Sequence, residues 1–104
     1  MPPKFRVEVE VHADHVQVVP HGEIDMATVD LVASAVREAT GRRGGVVLDL
    51  RSVSFMDVEG LRLLLELSEQ SSSEGWLLTM FRPSGPARRV IDLTASADQL
   101  PLAD

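Results

Sequence analysis

The sequence holds no cysteine. That excludes disulfides, thiolate catalysis and cysteine-ligated zinc together, and it suits a reducing compartment. Aromatic residues make up only 4% of the 104 positions, so valine and leucine must supply most of the core. Long hydrophobic runs are missing too. A run such as Leu63-Leu64-Leu65 falls far short of the roughly 20 apolar residues of a membrane helix. Met1 to Arg6 contains no apolar stretch of signal-peptide length. The expectation is a cytoplasmic protein with no membrane insertion. Basic residues are scarce, 10 against 16 acidic ones, for a net charge of −6. Such a surface repels phosphate backbones, so non-specific nucleic-acid binding is not expected. What remains, 44% hydrophobic and 25% charged residues, is ordinary composition for one globular domain.

Along the chain, Phe5, Val7, Val9 and Val11 alternate with charged or polar residues, and Val16 and Val18 resume the alternation after Ala13-Asp14. Period two marks strands with one buried face, and the short break between them predicts a hairpin closed by Pro20 and Gly22. Met26, Val29, Val32, Val36 and Ala39 recur at helical spacing, with Asp25 as the expected N-cap and Gly41-Arg42-Arg43-Gly44-Gly45 as the stop. Val46 to Leu50 reads as a strand covered on both faces. A second helix, capped by Asp57, carries Val58, Leu61, Leu64, Leu65 and Ser68 on one face and ends at Ser71 to Gly75. Trp76 to Phe81 is a further strand, and Ser84-Gly85-Pro86 opens a short helix with Val90, Ile91 and Leu93. The tail from Ala95 to Asp104 has room for a last turn or a short strand near Leu100. The predicted order is β-β-α-β-α-β-α. Right-handed crossovers then give an α/β fold, a small mixed sheet with helices packed mainly on one side.

Candidate chemistry is sparse. His12 and His15 flank the hairpin turn, but a metal site needs a third converging ligand, and none is evident. His21 lies at the far end of the same strand. No nucleophile elbow, phosphate-cradling glycine loop or His-Glu-x-x-His motif is present, so neither an enzyme nor a nucleotide-binding protein is expected, and no cofactor is implied. Two acidic segments, Gly22-Glu23-Ile24-Asp25 and Phe55-Met56-Asp57-Val58-Glu59-Gly60-Leu61, stand at turns leading into helices, where α/β proteins place their contacts. Helix-end chemistry alone accounts for both: Asp57 caps, and Glu59 answers the macrodipole. The hydroxyls nearest these loops are Thr28 and Ser54, which turn chemistry explains.

These pieces taken in order resemble the STAS family, and within it the anti-sigma factor antagonists. The likeness rests on Gly22 to Thr28, Val46 to Leu50, Phe55-Met56-Asp57, Gly60-Leu61 and Arg88 to Thr94, in register from about Phe5 to Leu102. The resemblance implies a single STAS-like domain over residues 1–104, with its core at about 5–102. It implies a non-enzymatic docking module that binds an anti-sigma factor, in some systems a serine kinase, and so regulates sigma-factor availability. The partner-binding residues carried over are Asp25, Asp57, Val58, Glu59 and Gly60. The family's Asp-Ser-Ser-Gly motif falls on Asp57, Val58, Glu59 and Gly60, so Glu59 occupies the phosphoserine position and has no hydroxyl to phosphorylate. One charge and two oxygens make Glu59 a partial phosphoserine mimic. A scaffold subunit of a lipid or anion transport complex is the alternative role. The expected oligomeric state is monomer or weak homodimer.

Overall fold

The computed structural model describes residues 4–42, 44–94 and 96–103. Strands β1 (Arg6–Val11) and β2 (His15–Ile24) form the predicted hairpin, followed by α1 (Val29–Ala39) and β3 (Gly45–Asp49). Then come β4 (Val53–Met56), α2 (Val58–Glu74), β5 (Leu78–Phe81), α3 (Gly85–Leu93), a 3-10 turn at Ala97–Gln99 and β6 (Leu102–Ala103). The sheet runs β1-β2-β3-β5-β6, and β4 pairs with β2. Among the described residues only the β1–β2 pair is antiparallel; the other pairs are parallel. The mixed sheet expected from the sequence is therefore present.

Register explains the layering. Val16 and Val18 of β2 stand beside Val46 and Leu48 of β3, which stand beside Leu78 and Met80 of β5. All six are buried. The alternate positions Gln17, Val47 and Thr79 are only half-buried, because the covering layer lies on the other face. Strand β3 is thus not sandwiched on both faces as its apolar run suggested. Its Val47 faces the open side.

Several local expectations shift. Pro20 and Gly22 do not close β2, which continues to Ile24 through a register irregularity between Gly22 and Glu23. Pro20 falls where pairing with β3 has ended at Val18 and pairing with β4 has yet to begin at Gly22, a gap that tolerates its missing N–H. Helix α1 starts later than predicted, with Thr28 at the N-cap position. Its core stripe is Val32, Ala33, Val36 and Ala39, while Met26 is 79% exposed. Helix α2 buries Gly60, Leu61, Leu63, Leu64 and Leu67. Val58 is 64% exposed instead, because the buried arc is centred one residue away from the predicted one. Ser71 to Glu74 stay helical, and Gly75 ends the helix at φ 79°. In α3 the buried residues are Ala87 and Ile91, and Leu93 is exposed. Arg43, Ala95 and Asp104, named in the sequence reading, lie outside the described residues. Among those described, no helix is long and apolar enough to cross a membrane.

Candidate functional site

Strand β4 is the element that positions the site. It prolongs the parallel pairing along β2 that β3 begins, with Ile24 opposite Met56. The chain after β2 and the chain after β4 therefore leave the sheet side by side, and the Asp57 backbone N–H donates to the Ile24 carbonyl at 3.2 Å. Asp25 and Asp57 each follow directly from that seam.

The two aspartates do different local work. Asp57 has the extended backbone of an N-cap, and its Oδ1 accepts from the backbone N–H groups of Glu59 at 2.9 Å and Gly60 at 3.0 Å. Two orphan donors at the start of α2 are thereby satisfied. Asp25 does not cap α1. Its Oδ1 accepts from the Ala27 N–H at 2.9 Å and folds the preceding turn. The helix begins three residues further on because the Thr28 hydroxyl donates to the Glu23 carbonyl at 2.8 Å and accepts from the Asp25 N–H at 2.9 Å. That hydroxyl is consumed by the turn. Asp57→Ala is expected to destabilise the fold by about 0.5–2 kcal/mol, the usual loss of a capping side chain. A denaturant melt reads this as a lowered midpoint at unchanged slope.

Glu59, at the second helical position, lies back along α2. Its Oε1 is 3.2 Å from Nη1 of Arg62, one turn on. Both residues line a shallow cleft of about 190 Å³ between α1 and α2, together with Asp30, Arg37 and Glu66. Acidic and basic groups thus mix in the cleft lining, and the partly exposed carboxylate at position 59 pairs with the exposed Arg62 guanidinium. Gly60 sits where α2 touches the sheet: a Cβ there would lie 2.9 Å from the Ile24 carbonyl oxygen. Sequence reasoning had brought Asp25, Asp57, Glu59 and Gly60 to one place. Val58, also named from the resemblance, is exposed at the start of α2, and sequence reasoning missed the rest of the apolar side of that place, the exposed Met26 and the partly exposed Phe55. The sequence carried no signal for this, since Met26 fits the helical spacing of the first predicted stripe and its exposure follows from the later start of α1.

The histidines form no metal centre. His12 and His15 stack with ring centroids 4.5 Å apart, facing each other across the turn as their positions suggested. Among the described residues no group of metal-ligating side chains converges.

A single layer of helices on a mixed sheet, with a capped helix start beside the β2 exit, defines the class. The chain belongs to the STAS-domain family, whose model matches residues 6–104. It is 29% identical over 102 residues to the anti-sigma F factor antagonist of Paenibacillus polymyxa, spanning 96% of this chain and 87% of that protein. An anti-sigma factor antagonist from Mycobacterium paratuberculosis has a TM-score of 0.81 to it at 31% identity, over 98% of this chain and 87% of the other. The anti-sigma factor antagonist SpoIIAA in its unphosphorylated form shares the fold, with a TM-score of 0.69 at 20% identity, over 97% of this chain and 88% of that one.

Proposed function

We propose that this protein is an anti-sigma factor antagonist that works by docking rather than by catalysis, with Glu59 as a fixed part of its contact surface. The partner is an anti-sigma factor, engaged through Asp25, Asp57, Val58, Glu59 and the start of α2. The names carried by its relatives support the general role. The observation that carries the finer reading is the Glu59–Arg62 pair at 3.2 Å. A phosphoserine at this place brings about −1.5 to −2 charges and three acceptor oxygens. Glu59 brings one charge, and Arg62 offsets it. The surface at the helix start therefore carries less negative charge than a phosphoserine would place there, and no kinase can change it at position 59.

Titration calorimetry of the native protein and of Glu59→Ser against anti-sigma factors from the same genome tests the proposal. Native protein is expected to bind at least as tightly as Glu59→Ser, and Val58→Asp is expected to weaken binding by tenfold or more, about 1.4 kcal/mol, by placing an uncompensated charge in the contact. Binding by Glu59→Ser alone would mean that Glu59 locks the native protein off. Binding by neither form would remove the anti-sigma role and favour a scaffold subunit of a transport complex.

A further inference from the structure

Basic residues gather at a place the docking role does not use. The start of β1, the end of β2 and the β3–β4 turn enclose a cavity of about 260 Å³, lined by Lys4, Arg6, His21, Gly22, Ser52 and Ser54. Three of the six carry basic groups, two carry hydroxyls, and none is acidic. The volume is below the roughly 300–1,000 Å³ of pockets for drug-sized ligands, which suits a small ion. Arg6 and His21 are cross-strand partners in the hairpin. Glu8 holds both from outside the cavity: its Oε1 accepts from Arg6 Nη2 at 3.0 Å and lies 2.5 Å from His21 Nε2. A guanidinium has five N–H donors, so this single contact leaves Arg6 with donors to spare. Lys4 makes no ion pair among the described residues. Lys4 and Arg6 against Glu8 leave a net positive charge at the wall. Gly22, at φ 113°, turns the backbone here in a conformation that favours glycine, and a Cβ on it would lie 3.3 Å from the Phe5 ring.

We propose that this cavity binds a small phosphate-class oxyanion. The Lys4 ammonium, the spare Arg6 N–H groups and the Ser52 and Ser54 hydroxyls belong to residues that line the cavity, and they are the donor types that a tetrahedral anion with many acceptor sites requires. In a chain of net charge −6, the electrostatic attraction must come from these neighbours, since the rest of the molecule opposes it.

The test is titration calorimetry with inorganic phosphate at constant ionic strength, with chloride as the control anion. The native protein is expected to bind one phosphate saturably and to give no response to chloride. Lys4→Gln, at an exposed position, removes one charged donor and is expected to weaken binding about tenfold. Arg89→Gln removes an exposed cation on α3, outside the cavity, and is expected to change nothing. Ser54→Glu delivers a carboxylate into the cavity from its own wall and is expected to abolish the response. Absence of saturable phosphate binding overturns the proposal, as does equal loss in Lys4→Gln and Arg89→Gln, or phosphate binding that survives Ser54→Glu.

Discussion

Gly60→Val is expected to give the largest loss of stability of any single substitution at the helix start, and Gly60→Ala a smaller loss in the same direction. On helix propensity alone the alanine would gain about 1 kcal/mol. Packing decides otherwise. A Cβ at this position would lie 2.4 Å from Met56 Cγ, 2.9 Å from the Ile24 carbonyl oxygen and 3.1 Å from Ile24 Cγ2. Met56 and Ile24 are both in the core, at 1% and 0% exposure. The Ile24 carbonyl also receives the Asp57 N–H, so it has no freedom to retreat. Overpacking of this kind costs about 1–3 kcal/mol and occasionally more, and valine adds two methyl groups to the conflict. Each kcal/mol lowers the melting temperature of a chain this size by about 4–8 °C. Gly41→Ala is the control, since nothing lies within 4 Å of a Cβ there. A thermal melt in which Gly60→Val matches Gly41→Ala would show that α2 can lift off the sheet without penalty.

Asp49 is expected to give the second large effect, in stability and in its dependence on pH. The residue ends β3 and is 5% exposed. Its Oδ1 accepts from the backbone N–H of Arg51 at 3.0 Å and from Arg51 Nε at 2.9 Å. Its Oδ2 accepts from Arg51 Nη2 at 2.8 Å and from Gln17 Nε2 at 3.0 Å. The guanidinium in turn lies over the Phe81 ring, 4.7 Å from its centroid. The carboxylate thereby ties β2 to the β3–β4 turn, and that turn aims β4 at the site. Asp49→Ala strands Gln17 and the Arg51 N–H, but Arg51 itself faces water and can be solvated. The expected loss is therefore near the low end for hydrogen bonds to a charged group, about 2 kcal/mol.

The Arg51 side-chain hydrogen bonds, above all, hold the Asp49 carboxyl below its ordinary value of 3.8, against burial that pushes it up. A carboxylate lowered on folding contributes stability that is fully present above its unfolded pKa and is lost as pH falls through the folded one. Native stability is accordingly expected to decline from about pH 4 downward, and Asp49→Asn to show a shallower decline over the same window. Urea midpoints measured from pH 7 to pH 2 check this. Parallel declines in the two proteins would assign the acid sensitivity to other carboxylates.

The parts of the fold legible in the sequence are those in which a single element carries its own periodicity. Phe5 to Val18 announces a hairpin by alternation, and Val29 to Ala39 announces a helix by its three- and four-residue steps. Strand β4 was illegible for the complementary reason. Its four residues are buried, exposed, exposed and buried, which matches neither period, so Phe55 and Met56 read as a loop. The candidate site was half legible. Asp57, Glu59 and Gly60 are adjacent in the chain and obey helix-start rules that need no tertiary information. The apolar exposure of Met26 and Val58 depends on which arc of each helix meets the sheet, and a shift of one residue reverses it.

Composition, charge sign and local pattern therefore determined by themselves the α/β class, the hairpin and the helix after it, and the capped start of α2. Each depends on interactions spanning only a few residues. Only the tertiary structure decided that β3 is open on one face, that Asp49 reaches Gln17 across 32 positions, and that Lys4 and Arg6 line one cavity with Ser52 and Ser54. These depend on β2 lying between β1 on one side and β3 and β4, which pair with it in succession, on the other, and strand order is set by the packing of the whole chain rather than by any segment of it.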